Sequence, residues 1–440
     1  MSAWRERAAR SAYGALLAVA APAYLARLWW RGRAEPLYRA AIGERFGSYG
    51  DAPSAGRLWI HAVSLGETRA AAALVDALRE RVPGLRLLLT HGTATGREAG
   101  KALLRDGDLQ AWLPYDAPRV VQRFLAHYRP SIGVLMETEI WPNLLFAARR
   151  RGVPMVLANA RLSARSERKG RRFTALLRPA AEALALVVAQ TQDDARRLGA
   201  SGARHVVVAG NLKFDVAPDG VQLASGEAWR RGLDRDVMLA AATREGEETQ
   251  LLAAWARTPA PRPLLLIVPR HPQRFDDVAR EVLSAGLTLE RRSAWLDGTP
   301  PPEAGAADVW LGDSMGEMAL YYALAKVALL GGSFEPLGGQ NLIEAAACGC
   351  PIVMGPHTFN FAQAAELALA AGAARRVADI DAGIDVALEI ARGPDAATMS
   401  GAAVAFAAEH RGAAARTAER IVACLAASAV QANSASGRSA

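Results

Sequence analysis

The sequence predicts an α/β protein of two Rossmann-like domains with a cleft between them, preceded by a membrane-associated N-terminal helix. Three observations carry that expectation. From Arg57 onward, short β-branched or leucine-rich runs alternate with longer helical stretches, the pattern of βα units around parallel sheets. The runs fall into two series separated by residues 214–233, where Pro218, Gly220, Gly226 and Gly232 read as a linker. Ahead of both, residues 11–26 carry no charge and lie between Arg5, Arg7 and Arg10 on one side and Arg27, Arg31 and Arg33 on the other.

The N-terminal run, SAYGALLAVAAPAYLA, is shorter than the ~20 apolar residues a spanning helix wants, contains Pro22, and is followed by Trp29 and Trp30, which favour the headgroup boundary. An interfacial or shallow anchor over residues 1–33 is the expectation. A cleaved signal peptide, with small-residue sites at 18–20 and 21–23, and an ordinary packed helix are the rivals. Basic residues flank both ends, so the positive-inside rule does not orient the segment. A first domain over 34–215 takes its strands from LWIHAV (58–63), LRLLLT (85–90), IGVLME (132–137), PMVLANA (154–160), LALVVAQ (184–190) and HVVVAGN (205–211). A second over 216–427 uses VMLAAAT (237–243), PLLLIVPR (263–270), DVWLGD (308–313), KVALLGG (326–332) and PIVMGP (351–356). Residues 299–306 read as a surface loop, the chain turns alanine-rich after about 395, and 428–440 read as a disordered tail. Ligands are expected at the carboxyl ends of the strands.

With 440 residues, 51% apolar and 22% charged, neither wholesale disorder nor a polytopic membrane protein fits. The net charge of +8 favours an anionic partner: nucleic acid, phosphorylated substrate or acidic lipid. Cys348, Cys350 and Cys424 form no CxxC pair and have no histidines at ligand spacing, so neither a disulfide framework nor a zinc site is indicated, and a reducing compartment is the natural reading.

The most informative stretch is 331–360, GGSFEPLGGQNLIEAAACGCPIVMGPHTFN. A buried strand ends at Gly331 and Gly332, a flexible loop follows, and Gly338, Gly339, Gln340 and Asn341 open a helix whose free N–H groups can cradle a phosphate. Glu344, one turn further, is placed to accept hydrogen bonds from ribose hydroxyls. A glycine turn with a helix cap is the structural alternative.

This pattern resembles the donor-binding half of GT-B glycosyltransferases. Joined to WIHAVSLGE (59–67), LPYDAP (113–118), METEIWPNL (136–144), NARLSARS (159–166), GNLKFD (210–215), PRHPQRF (269–275) and GDSMGEM (312–318), it makes the chain similar, across 57–361, to the 3-deoxy-D-manno-octulosonic acid (Kdo) transferases of lipopolysaccharide core biosynthesis. The resemblance implies a metal-independent enzyme with no cofactor, CMP-Kdo as donor, a phosphorylated lipid A precursor as acceptor, and a place at the cytoplasmic face of the bacterial inner membrane. The first domain would bind acceptor and the second donor. The residues agree with a metal-free site. The Asp-x-Asp pairs Asp106/Asp108, Asp234/Asp236 and Asp379/Asp381 read as solvated loop or helix charges, and a CMP leaving group needs less neutralisation than a diphosphate.

Glu67, after strand 58–63, is the expected general base for the acceptor hydroxyl, and direct attack inverts the anomeric centre. A helix N-terminal Glu complementing the macrodipole is its alternative. Glu137 and Glu139 flank Thr138 at the end of strand 132–137 and could hold acceptor hydroxyls or orient Glu67, with Glu137 the favoured second catalytic residue. Arg161, Arg165, Arg168 and Arg172, spaced 4, 3 and 4, would align on one helix face as a dock for acceptor phosphates or an anionic membrane surface, or as a solvated basic face. Nucleic acid is not expected, since no aromatic ladder accompanies the stripe.

On the donor side, Pro269 and Arg270 end strand 263–270, Lys213 at the domain junction reaches the same phosphate, and Ser314, Met315 and Gly316 form a turn admitting base or ribose. Gly339, Asn341 and Glu344 complete that set. His271 is assigned a structural placement, and His61 and His91 default to satisfied core histidines. A nucleotide-sugar 2-epimerase of the same fold, or a non-catalytic nucleotide- or lipid-binding scaffold, are the alternative functions. The anchor and basic stripe argue against the first and the acidic strand ends against the second.

Overall fold

A computed structural model describes residues 3–215, 217–295 and 297–436. The chain divides into two compact units, residues 1–215 with 411–440 and residues 216–410. The first is built on a parallel sheet of seven strands among the described residues: β1 (Leu58–His61), β2 (Leu87–His91), β3 (Leu109–Trp112), β4 (Ile132–Met136), β5 (Met155–Ala160), β6 (Leu186–Ala189) and β7 (Val206–Val208), in the order β3-β2-β1-β4-β5-β6-β7. The side chains of β1 alternate between two cores. Leu58 and Ile60 pack with Leu74 and Leu78 of helix Leu65–Arg81, while Trp59 packs with Phe124 and Leu145. Strand order reverses between β1 and β4, so a crevice for ligands is expected at their carboxyl ends.

The second unit repeats the plan with β8 (Val237–Thr243), β9 (Leu264–Pro269), β10 (Leu289–Arg291), β11 (Val309–Leu311), β12 (Val327–Leu330), β13 (Ile352–Met354) and β14 (Ala374–Arg376), ordered β10-β11-β9-β8-β12-β13-β14. Its reversal lies between β8 and β12. The sequence reading omits β3, β10 and β14. All three are sheet edges of three or four residues with polar members, LQAW, LER and ARR, and they lack the continuous apolar signal of doubly covered strands.

Three boundaries differ from expectation. The linker contains a helix, Gly220–Arg231, capped by the Asp219 carboxylate. Gly226 is there for packing: a Cβ on it would lie 2.3 Å from the Leu320 carbonyl oxygen. The second unit ends at 410, because residues from 411 return to the first. Helix Ala413–Ser436 lies on Leu65–Arg81 through Ala413, Ala414, Ala418 and Ile421, small side chains that permit close approach. The Asp215 carboxylate accepts from the backbone N–H groups of Gly412 and Ala414, and Arg416 donates to the Ala209 carbonyl at 2.8 Å. Of the expected disordered tail, 428–436 continue this helix and 437–440 lie outside the described residues.

The N-terminal helix runs unbroken from Ala3 to Arg31 through Pro22. One face rests on the first unit. The Tyr115 hydroxyl donates to the Leu17 carbonyl at 2.8 Å, Arg45 donates to the Tyr24 hydroxyl at 3.0 Å, Leu28 is buried, and the Arg10 guanidinium covers the Phe146 ring. The opposite face leaves Leu16, Val19, Trp29 and Trp30 exposed.

Candidate active site

At the reversal point of the first sheet, β1 and β4 deliver three carboxylates. Ser64 caps helix Leu65–Arg81, and Glu67 returns the contact: its Oε1 accepts from the Ser64 hydroxyl at 3.0 Å and its Oε2 from the Val63 N–H at 2.8 Å. Burial pushes the Glu67 carboxyl up, the Val63 N–H pulls it back, and the Glu137 charge pushes it up again. Sequence reasoning passed over Ser64, which the S-x-x-E spacing of a capping box could have placed beside Glu67.

Glu137 ends β4 in a left-handed backbone conformation, φ +58°, unusual for a residue with a side chain. It is buried and paired twice, Oε1 with Lys213 Nζ at 3.2 Å and Oε2 with Arg161 Nε at 3.5 Å. Glu139 lies two residues on. Burial, reinforced by the negative charges of Glu67 and Glu137, raises its carboxyl to about 7. A proton held near neutrality therefore sits beside two further carboxylates, the arrangement that general acid–base chemistry uses.

The motifs around this cluster hold it in place. Asn159, at φ +53°, accepts from the Leu212 N–H at 3.0 Å, and Asn211 caps the 3₁₀ turn Leu212–Phe214 that presents Lys213. Asp116 of LPYDAP accepts from the Asn143 and Leu144 N–H groups at 3.1 and 2.8 Å, fixing the N-terminus of helix Pro142–Arg150, and burial raises its carboxyl to about 7. His61 and His91 are buried within β1 and β2, where burial lowers them to about 3 and 4, so both are neutral. Their Nδ1 atoms meet the Thr90 and Ala62 carbonyls at 3.0 Å, but their buried Nε2 atoms have no hydrogen-bond partner among the described residues, so these core histidines are satisfied at one ring nitrogen only.

In the second unit the carboxyl ends of β8, β9, β11 and β12 carry the expected donor residues. Pro269 ends β9, and the Arg270 N–H donates to the Thr243 carbonyl at 2.9 Å. After β11, the Ser314 hydroxyl bonds to Glu317 and shares a 2.6 Å contact with the Tyr321 hydroxyl, Gly316 takes φ +83°, and Met315 is exposed. The loop after β12 is tied down rather than flexible. Buried Glu247 accepts from the Gly332 N–H at 2.7 Å and the Phe334 N–H at 3.2 Å, and the Ser333 hydroxyl accepts from the Gly355 N–H at 2.9 Å. Gly339 needs its freedom, at φ +75°. The helix that follows, Leu342–Ala347, is short, and the Asn341 side chain accepts from its Ile343 N–H at 3.2 Å, taking one of the donors expected for phosphate. Glu344 lies on that helix, and its charge adds to the burial that pushes the Tyr322 hydroxyl up.

A family model described as 3-deoxy-D-manno-octulosonic-acid transferase (kdotransferase) matches residues 40–216. The 3-deoxy-D-manno-octulosonic acid transferase of Bordetella pertussis is 49% identical over 93% of this chain and 97% of its own length. That of Haemophilus influenzae is 36% identical over 79% and 82%. The chain belongs to the Kdo transferase family. It is a glycosyltransferase, and the GT-B fold is shared with solved structures such as the UDP-GlcNAc 2-epimerase of Neisseria meningitidis, 15% identical, covering 84% of this chain and 99% of that one at a TM-score of 0.53.

In this Kdo transferase the arginine stripe is not one helix face. Arg165 and Arg168 lie on helix Ala164–Gly170, Arg172 lies in a separate 3₁₀ turn, and Arg161 precedes the helix and turns to Glu137. All four are exposed except where Arg161 meets that carboxylate. Lys213, expected on the donor phosphate, is likewise paired with Glu137. Sequence reasoning missed Glu247, whose only signal was an acidic pair opening a helix after a strand. Asp108 departs from the solvated reading of the Asp-x-Asp pairs: its side chain is buried, accepting from Leu87 N–H at 2.7 Å and pairing with Arg79. Among the described residues, no group of three or more His, Cys, Asp or Glu side chains is placed to hold a metal ion.

Proposed function

We propose that the enzyme transfers Kdo from CMP-Kdo to a hydroxyl of a phosphorylated lipid A precursor, with inversion and without a metal. The carboxylate cluster at the ends of β1 and β4 carries this reading. Glu67, with its affinity for protons raised by burial, takes the proton of the acceptor hydroxyl as that oxygen attacks the anomeric carbon. Glu139 holds the acceptor sugar through the proton it keeps near neutrality. Glu137, already engaged by Lys213 and Arg161, positions the other two and supplies the negative field that keeps Glu67 basic. In the second unit Pro269, Arg270, Ser314, Met315, Gly316, Gly339 and Asn341 hold the cytidine monophosphate, Glu344 takes the ribose, and a guanidinium fork suits the phosphate oxygens. In the first unit, Lys213 adds positive charge beside the carboxylate cluster. Arg165, Arg168 and Arg172 meet acceptor phosphates.

The N-terminal helix is the second part of the proposal. It is long and apolar enough to cross a membrane, with only 6% of its most apolar window buried. Because one face is engaged by Tyr115, Arg45 and Asp116 over much of its length, lying in the interface with Leu16, Val19, Trp29 and Trp30 toward lipid satisfies both faces at once. We place the enzyme on the cytoplasmic face of the bacterial inner membrane.

Purified protein incubated with CMP-Kdo and a tetra-acylated lipid A precursor should give a product heavier by one or more Kdo units. Glu67→Gln should lower kcat by about 10²–10⁴ while leaving CMP affinity unchanged. Turnover near wild type would remove Glu67 from the role of base.

A further inference from the structure

Beside the carboxylate cluster the first unit contains a cavity of about 490 Å³ that the reaction as described does not use. Its deeper wall is apolar, from Ile140, Leu157, Leu177, Leu184 and Leu198, of which Leu157, Leu184 and Leu198 also belong to the buried core, while Thr138, Arg161, Glu167, Arg171 and Arg178 add polar groups to the lining. A cavity of this size and lining takes an apolar ligand. We infer that it receives one acyl chain of the lipid acceptor, which rests on the acceptor proposed above and adds a specific seat for it.

Four observations select an acyl chain. The cavity begins at the carboxylates, since Thr138, between Glu137 and Glu139, and Arg161, paired with Glu137, both line it. An amphiphile whose sugar meets Glu67 and Glu139 thus has its nearest apolar refuge here. The lining carries three arginines, Arg161, Arg171 and Arg178, each paired with a glutamate (Glu137, Glu167 and Glu182) and each largely exposed, so that a phosphate group of the same amphiphile can share their guanidinium donors. One wall, helix Thr174–Glu182, packs by another side against the apolar N-terminal helix. A chain entering from lipid held by that helix therefore has a short path. Finally, Phe173, immediately before this wall, is exposed beside the charged residues, a large apolar side chain that lipid would cover.

The test compares two acceptors on the full-length enzyme, the tetra-acylated precursor and the same phosphorylated disaccharide stripped of its acyl chains. It also measures binding of a dansyl-labelled eleven-carbon fatty acid. Ala181→Phe fills the cavity from the helix Thr174–Glu182, and Ala200→Trp blocks it from an exposed position at the end of helix Gln192–Ala200, where folding is not at risk. Each excluded methylene is worth about fourfold, so loss of a few should raise KM for the acylated acceptor at least tenfold, abolish probe binding, and leave kcat/KM for the stripped acceptor within twofold. Equal effects on both acceptors, or no effect on either, would overturn the assignment. So would loss of probe binding with unchanged use of the acylated acceptor, which would give the cavity to a bulk lipid chain. If the wild-type enzyme uses neither acceptor, the proposed function itself falls, and failure of the probe to bind would separately dismiss the cavity as an acyl site.

Discussion

Glu67, Glu137 and Glu139 show how one residue type acquires three behaviours from its surroundings. Glu137 is paired with two cations, Glu67 is held by a backbone N–H and a hydroxyl, and Glu139 is half-buried next to negative charge. A carboxyl raised from about 4.5 to about 7 keeps a proton that the unfolded chain has already released, so its contribution is favourable at acid pH and is lost as pH rises through that window. Glu139→Gln should therefore raise Tm at pH 8 by an amount corresponding to about 1–3 kcal/mol and change it little at pH 5, measured by thermal melts across pH. An equal shift at both pH values would mean that Glu139 ionises normally. For the donor, Arg270→Ala should weaken CMP binding by about 1.5–3 kcal/mol in calorimetry, the usual worth of a hydrogen bond to a charged group, and unchanged binding would exclude Arg270 from the phosphate site. That Glu67 and Glu139 would lie at a strand end was legible from the βα pattern. Their different proton affinities were not, because these depend on burial and on charges that meet only in the fold, Glu67 with Glu137, Glu139 and Lys213.

At the scale of elements, the site depends on how helices begin. Ser64, Asp116 and Asn341 each satisfy N–H groups at a helix start, and each lies in a motif legible in the sequence. The failures fell where packing outweighs local propensity. Residues 214–233 carry enough glycine and proline to read as linker, yet Gly226 lets helix Gly220–Arg231 close on helix Met318–Leu324. Gly226→Ala should cost about 1–3 kcal/mol in urea unfolding despite alanine's higher helix propensity, because the added methyl meets a backbone carbonyl that cannot yield. A gain in stability would show that the two helices have room to spare.

For the whole molecule, the N-terminal helix is both a packed element and an apolar surface, and the two roles can be separated. Leu16→Glu with Val19→Glu changes only its exposed side and should sharply reduce sedimentation with anionic vesicles at unchanged Tm. Removal of residues 1–31 should lower both, since Leu28 and the contacts of Leu17 and Tyr24 go with it. If the double substitution sediments as wild type does, the exposed face does not contact lipid.

The order of apolar runs and turns sufficed for the α/β class, two parallel sheets and the strand-end origin of the carboxylates, because doubly covered strands leave a continuous apolar signal in the chain. The tertiary structure alone decided that residues 411–436 return to the first unit, that the arginines between 161 and 172 divide between an ion pair and a surface, and that Glu247 stiffens the glycine loop. Each of these rests on partners tens to hundreds of residues away, and a local pattern carries no record of what the fold will place beside it.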